Sequence, residues 1–583
     1  MNSLKYLNKY LYRYRLKLFL GFLITIVSRI FSLFAPRLIG NSLTTVERYL
    51  TEVQTDLDQV KEALLINILI ILGASIISGF FTFLMRQTII NVSRYIEFDL
   101  KNDIFAHYQK LGQKFYKNNR TGDLMNRISE DVGKVRMYVG PAIMYSTNTV
   151  ALFIIVISYM VSIAPELTFY TVLPLPFLSY IIYKLSRIIN IKSTAVQEFL
   201  SGLSSFTQER YSGIAVIKSY GLEKDSTASF ESLAQTGYEK NMDLAKVQAW
   251  FFPLMILLIG LSNLLVIFIG GRQYMEGIIE IGVLAEFIIY INMLTWPVAV
   301  VGWVSSIIQQ AAASQQRIND FLDEKPELDS GNKKALQNNF SIRFEGVSLT
   351  YAESNIEALK DMSFTLESGQ TLGIIGGIGS GKTTLLDLMA RIYDPNTGTI
   401  FIGDTPIQEF ELQELRKMLA VVPQSPFLFS ESINQNIRFG KPDATEAEIQ
   451  SAAKAAVVHE NIAEFKEGYH TLLGERGVTL SGGQIQRISI ARALIKDAPI
   501  LLFDDCLSAV DTDTEELILK HLKQMSQNKT TCIVSHRISS VIEADHVIVL
   551  ENGRIIQSGN HQSLISSEGY YKELYLKQQG NAI

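Results

Sequence analysis

Hydrophobic positions fall into two regimes that meet near residue 320. Before that point long apolar runs recur; after it, short strand-like runs alternate with helical patterns and glycine turns. Six early runs are long enough to cross a bilayer, which takes roughly 20 apolar residues as helix: Leu16–Ile39, Ala63–Met85, Ile143–Ala164, Leu167–Tyr183, Trp250–Gly271 and Ile281–Ile308. The second to fifth contain no charged residue. Buried core helices would look similar singly, but the number of runs and the charges between them favour a membrane. Met1–Arg15 carries four Lys/Arg, and the loops Arg86–Ala142 and Lys184–Ala249 carry ten and eight. The opposite loops hold only Arg48 and Lys61, or Arg272. Basic loops stay on the cytosolic side, so the N-terminus, both long loops and the C-terminal half are expected there.

The long loops keep apolar residues at three- and four-residue spacing, as in Phe98–Tyr116 and much of Ala195–Tyr220. They therefore predict helices that continue past the membrane. Each has a turn-like centre, at Asn118–Asp123 and near Tyr211–Gly213. The stretch Asp323–Asn339 is polar, with Pro and Gly, and reads as a linker. The expected architecture is a membrane α-helical domain of six transmembrane helices with long cytosolic extensions (1–322), a linker (323–340) and an α/β nucleotide-binding domain (341–583).

Composition agrees. Hydrophobic residues make up 48% and charged residues 19%, apolar for a soluble chain. A net charge of −5 gives no reason to expect nucleic acid as a partner. Cys506 and Cys532 are two isolated thiols, which suits a reducing compartment better than a disulfide framework. The first apolar run follows Lys5, Lys9, Arg13 and Arg15 with no small-residue cleavage site, so it reads as a retained span rather than a signal peptide. A bacterial inner membrane is the expected location.

The second half carries the chemistry. A short apolar strand leads into Gly376-Gly377-Ile378-Gly379-Ser380-Gly381-Lys382-Thr383-Thr384, the phosphate-loop pattern. Its glycines let backbone N–H groups turn to phosphates, and the following helix offers its N-terminus to the negative charge. Lys382 should reach the β- and γ-phosphates, and Thr383 should offer its hydroxyl to Mg²⁺. Ile500–Phe503 reads as a buried parallel strand, ending in Asp504, placed to hold Mg²⁺ through water. Thr531–Ser535 is another strand, ending in His536 at the sheet edge where α/β folds bind ligands. There His536 would sense the γ-phosphate, although taken alone it reads as a surface histidine. Val547–Leu550 and Arg554–Gln557, joined at Asn552-Gly553, predict a hairpin. Leu480–Gln484 (LSGGQ) has no work within this phosphate site. Ser481, Gly482, Gly483 and Gln484 open a helix, a second anion-binding N-terminus. Two phosphate-binding ends per domain suggest that two copies sandwich the nucleotide.

Tyr351, the phosphate loop, Gln424, LSGGQ, ILLFDD, SAVD (Ser508–Asp511) and His536 occur in this order. The set resembles the nucleotide-binding domain of an ATP-binding-cassette protein, and six spans ahead of it resemble an ABC exporter half-transporter over essentially the whole chain. The resemblance implies ATP and Mg²⁺ as cofactors. By the same resemblance Tyr351 would stack on adenine, and Gln424 would contact Mg²⁺ and link the site to the membrane domain. Glu475 would touch the cytosolic loop ends and Asp511 would act across the dimer. The turns at Asn118–Asp123 and Tyr211–Gly213 would be coupling helices, and a second half-transporter would be the partner.

Asp505 departs from the pattern, because the family usually has Glu there as the base that polarises the attacking water. One methylene less predicts a site that binds ATP but hydrolyses it slowly, unless the backbone adjusts. This resembles one chain of the heterodimeric multidrug-type exporters; a homodimer with two attenuated sites is the alternative. A nucleotide-switched channel or regulatory subunit with little turnover is the reading from another class. Arg29 and Glu286 are ionisable groups at apparent membrane depth, functional candidates by default. They would line a path or pair with one another, or Glu286 would simply reach the interface. Tyr145, Phe169, Tyr290, Trp296 and Trp303 would line an amphipathic pocket or face lipid or packed helices, and Pro297 would bend the sixth span. Few charges in the spans suggest a hydrophobic or amphipathic drug-like or lipid-like cargo, with membrane lipid around the chain.

Overall fold

A computed structural model describes residues 2–51, 57–352, 354–474 and 480–580. These fall into two units, Met1–Lys110 with Asn119–Lys325, and Leu111–Asn118 with Pro326–Ile583. Pro326 to Asn339 thus goes with the second unit, as does a short segment between the second and third spans.

The first unit is helical, and among the described residues six helices are long and apolar enough to cross a membrane: Arg15–Thr51, Leu57–Tyr108, Thr121–Ile163, Pro165–Ser212, Glu223–Met275 and Ile281–Leu322. The second runs for 52 residues, about 78 Å at about 1.5 Å per residue, far beyond a hydrocarbon core of about 30 Å. The first is two pieces meeting at Leu33. Pro36, in the opening turn of the second piece, lacks the N–H that a continuous helix would need. The turn expected at Tyr211–Gly213 is the break between Pro174–Ser212 and Ile214–Tyr220. The sixth span runs unbroken through Pro297.

Burial identifies the sixth span as the core of this unit. Its apolar window is 59% buried, against 6% for the second. Phe287, Tyr290, Ile291 and Leu294 pack with Val156, Met160 and Leu167. At Gly282 a β-carbon would stand 2.2 Å from the Gly40 carbonyl oxygen, so the first and sixth spans touch backbone to backbone there. The Gly282 N–H donates to Thr44 Oγ1 at 3.2 Å.

Arg29 and Glu286 do not pair. Arg29 Nε donates to Asn148 Oδ1 at 2.6 Å. Glu286 is 5% exposed, packed among helices, and its Oε1 accepts from the Tyr290 hydroxyl at 2.8 Å. Each hydrogen-bonds a different side chain, which offsets the cost of withdrawing a charged group from water. Tyr290 is fully buried and Tyr145 packs edge-on against Trp303, whereas Phe169 and Trp296 are exposed.

Among its described residues the second unit has two sheets. β1 (Ile342–Tyr351), β2 (Ile356–Leu366), β4 (Thr397–Ile402) and β5 (Thr405–Pro406) form an antiparallel sheet ordered β2-β1-β4-β5. The other contains β3 (Thr371–Gly376), β6 (Leu419–Val422), β7 (Ile500–Asp504), β8 (Thr530–Val534), β9 (His546–Glu551) and β10 (Arg554–Gly559), ordered β10-β9-β3-β8-β7-β6. Its strands are parallel except β10, which returns beside β9 through the turn predicted at Asn552-Gly553. β7 is buried along its whole length, which is why it reads as a continuous apolar run. The segment before β1 is anchored: Arg391 Nη2 donates to the Asp329 carbonyl at 2.7 Å, and Lys333 bridges to Phe410.

Candidate nucleotide site

The parallel strands β3, β7 and β8 end side by side, and their C-terminal ends deliver the phosphate loop, Asp504 with Asp505, and His536 to one place. A cleft of about 750 Å³ there is lined by Tyr351, Ile378–Thr384, Gln424, Asp504, Asp505 and His536, together with the hairpin turn Asn552–Gly553. Residues far apart in sequence thus meet because the strands alternate with crossover connections.

The loop after β3 turns on itself before the helix Lys382–Met389. Gly381 has φ 99°, and a β-carbon there would stand 2.5 Å from the Ala358 carbonyl, so no other residue fits. Lys382 is 7% exposed, and its ammonium donates to the carbonyls of Gly376 at 2.9 Å and Gly377 at 2.7 Å. Burial lowers its pKa, while Asp505 and Asp504 oppose that shift. Asp504 is pushed up by burial and by Asp505, and is pulled down by its hydrogen bond to Thr383, by Lys382 and by His536. Ser380 Oγ is buried without a hydrogen-bond partner, an orphan that a phosphate oxygen would satisfy. A buried cation, an orphaned hydroxyl and a hydroxyl–carboxylate pair fit a nucleotide triphosphate with Mg²⁺. Among the described residues no group of three His, Cys, Asp or Glu side chains forms a cation cage. The metal would therefore rest on Thr383, Asp504, Gln424 and the nucleotide's own oxygens.

Asp505 follows β7 in the left-handed region, φ 43°, with its N–H donating to the Val534 carbonyl at 3.0 Å. The Tyr351 hydroxyl bonds Thr384 Oγ1 at 3.0 Å, and its ring meets Tyr393 edge-on at 5.5 Å.

Ser481, Gly482, Gly483 and Gln484 do not line this cleft. Ser481 caps the helix Gly482–Leu494, accepting from Gln484 N–H, while the Gln484 side chain returns a bond to Ser481 N–H. Asp511 caps Thr512–Met525 by accepting from Thr514 N–H at 3.0 Å, which holds its carboxyl below the usual range. Glu475 lies outside the described residues.

Several supporting residues are not evident from sequence. Gln486 joins the LSGGQ helix to SAVD, through Ser508 Oγ at 3.2 Å and Ala509 N–H at 3.1 Å. Gln578 holds the His536 segment, donating to the His536 carbonyl at 2.8 Å and accepting from Ile538 N–H at 2.9 Å. Lys360 lines the cleft. Glutamines and lysines recur everywhere in the chain; only the fold singles these out.

A phosphate loop, a strand-end carboxylate pair and a separate LSGGQ helix cap, behind six membrane-length helices, define a transport ATPase. Residues 18–298 match the ABC transporter transmembrane region family, and residues 359–508 match the ABC transporter family. The chain is 36% identical over 498 residues to "Multidrug resistance-like ATP-binding protein MdlA" of Escherichia coli (strain K12), covering 85% of this chain and 84% of that protein. It is 32% identical to an "ATP-dependent lipid A-core flippase" of Chromohalobacter salexigens, covering 87% and 88%. A bacterial Atm1-family ABC exporter solved with ATP bound superposes with a TM-score of 0.81 at 26% identity, covering 97% and 99%. The chain belongs to the ABC transporter family: it is a multi-pass membrane protein, an exporter-type half-transporter, with an ATP-binding ATPase domain coupled to transport.

Proposed function

We propose that this chain is one half of a dimeric exporter of hydrophobic or amphipathic small molecules in a bacterial inner membrane. It would pair with a second half-transporter whose catalytic carboxylate is a Glu. The observation that carries this reading is the separation of parts: one cleft gathers Tyr351, the phosphate loop, Asp504, Asp505 and His536, whereas Ser481–Gln484 open a helix outside it. The LSGGQ helix end is then free to close over another chain's phosphates. The family membership and the multidrug-resistance-like and lipid A-core flippase relatives support the cargo class.

In this account Tyr351 stacks on the base. The loop N–H groups and Lys382 neutralise the phosphates, and Thr383, Asp504 and Gln424 hold Mg²⁺. Bound Mg²⁺ and ATP supply the charge and the cleavable bond that drive switching. His536 holds the γ-phosphate side of the cleft, and Glu475 and Asp511 link the site to its surroundings. Asp505 has less reach than a Glu, so the chain's own cradle acts as a slow clamp while its LSGGQ serves the faster site. Asp505 also favours one second reading, a nucleotide-switched channel or regulatory subunit. Uptake of a lipophilic fluorescent dye into inside-out vesicles separates the two. A pump accumulates dye with MgATP and not with a slowly hydrolysed analogue; equal uptake with both refutes the exporter.

A further inference from the structure

The chain leaves the second span at Tyr108 and enters the third at Thr121, and the intervening Leu111–Asn118 belongs to the nucleotide-binding unit. Its Lys117 ammonium lies 5.6 Å from the centroid of the Tyr351 ring and 5.2 Å from that of Tyr393. Both distances fall inside the roughly 6 Å at which a cation is drawn to an aromatic face. The two rings hold each other edge to face, 5.5 Å apart at 87°. The Tyr351 hydroxyl is tied to Thr384, in the helix that begins the phosphate site. Asp387, on the same helix, is largely buried; burial pushes its carboxyl up to about 6, and Lys117 opposes that shift. One lysine, carried by a segment flanked on both sides by membrane-spanning helices, therefore sits among two aromatic rings and a buried carboxyl.

We propose that Lys117 is a positioning residue for the nucleotide base: by holding the Tyr351–Tyr393 pair it orients the Tyr351 ring and strengthens its stacking, so that the segment between the second and third spans sets ATP affinity. The inference rests on Tyr351 being the adenine platform. A cation beside a ring draws π density toward itself and leaves the far face less repulsive to a stacked base. A ring already held in place also loses less freedom when the base arrives. The cation acts through the ring and not on the phosphates, so only ligands that carry a base feel it.

The test is equilibrium binding to the full-length chain in lipid nanodiscs, with ATP and inorganic tripolyphosphate as the two probes. Lys117→Met should weaken ATP roughly three- to tenfold and leave tripolyphosphate binding unchanged. Lys117→Arg, which also stacks on aromatic faces, should restore ATP affinity. Tyr351→Ala should weaken ATP at least as much as Lys117→Met. If Tyr351→Ala weakens ATP but Lys117→Met does not, the role of Lys117 is overturned and the platform stands. If neither variant changes ATP affinity, the platform falls and the inference with it. An equal loss of tripolyphosphate binding in Lys117→Met also overturns the proposal, because it reports general damage to the site.

Discussion

Replacing Asp505 by Glu should turn a slow ATP site into a faster one. Asp505 follows β7 with its N–H fixed to the Val534 carbonyl at 3.0 Å, so the backbone does not shift freely to compensate for a short side chain. One C–C bond is about 1.5 Å, and a catalytic group misplaced by about 1 Å costs about 10²-fold. That is about 2.7 kcal/mol of barrier at about 1.36 kcal/mol per decade. Asp505→Glu should therefore raise phosphate release by the purified chain, whose two copies supply LSGGQ to each other's cleft, about 10- to 100-fold. The change has an opposing cost. Asp505 sits at φ 43°, where Asp is tolerated better than longer side chains, and the left-handed region costs about 1 kcal/mol or more otherwise. The faster variant should thus melt lower, by about 2–4 °C for a domain of this size. Asp505→Asn, of the same size but unable to take a proton, should remove the residual turnover. Phosphate release at saturating MgATP and thermal melting in nanodiscs measure both effects. A wild-type chain that turns over as fast as Asp505→Glu refutes the reasoning about reach.

Gln578→Ala removes two of the bonds that fix the His536 segment; at about 1 kcal/mol per bond it should lower Tm and slow ATP turnover while ATP still binds, checked by melting and by separate binding and rate measurements. Tyr290→Phe takes away the hydroxyl donated to buried Glu286 and should destabilise the chain by about 1–3 kcal/mol, read as earlier unfolding in detergent. Asp387 has its pKa raised to about 6 from 3.8 by burial; between those values the folded chain holds the extra proton, so stability falls as pH rises through that window. Asp387→Asn should flatten the dependence of Tm on pH there; an unchanged slope contradicts the assignment.

The sequence made the two-part architecture legible because apolar runs of membrane length and short strands with glycine turns follow different periods. It made the cleft legible because its loop and strand-end residues are contiguous strings, such as Gly376–Thr384 and Asp504–Asp505. What it did not reveal is contact at a distance. Arg29 bonds Asn148, 119 positions away, which no local pattern marks, whereas Glu286 bonds Tyr290 one helical turn on, an i,i+4 pair of the kind that helical spacing brings together. Lys117 reads as one more basic residue of a solvated loop, yet it stands over Tyr351, more than 200 positions later. Gln578 and Gln486 act on backbone groups, and backbone partners leave no signature in composition. Ser481 was legible as a helix start, since a hydroxyl three residues before Gln484 is a capping pattern.

On the proposed function, this chain does not complete its own ATP site, and its LSGGQ closes a partner's. The direct measurement is photolabelling of this chain by an ATP analogue alongside ATP turnover of the complex purified from its own membrane, in Ser481→Arg and Lys382→Ala variants. Losing a phosphate-stabilising donor costs about 10²–10³ in turnover. Ser481→Arg should therefore suppress turnover of the complex while this chain remains labelled, and Lys382→Ala should remove the label while much of the turnover persists. Full turnover in Ser481→Arg would contradict the claim.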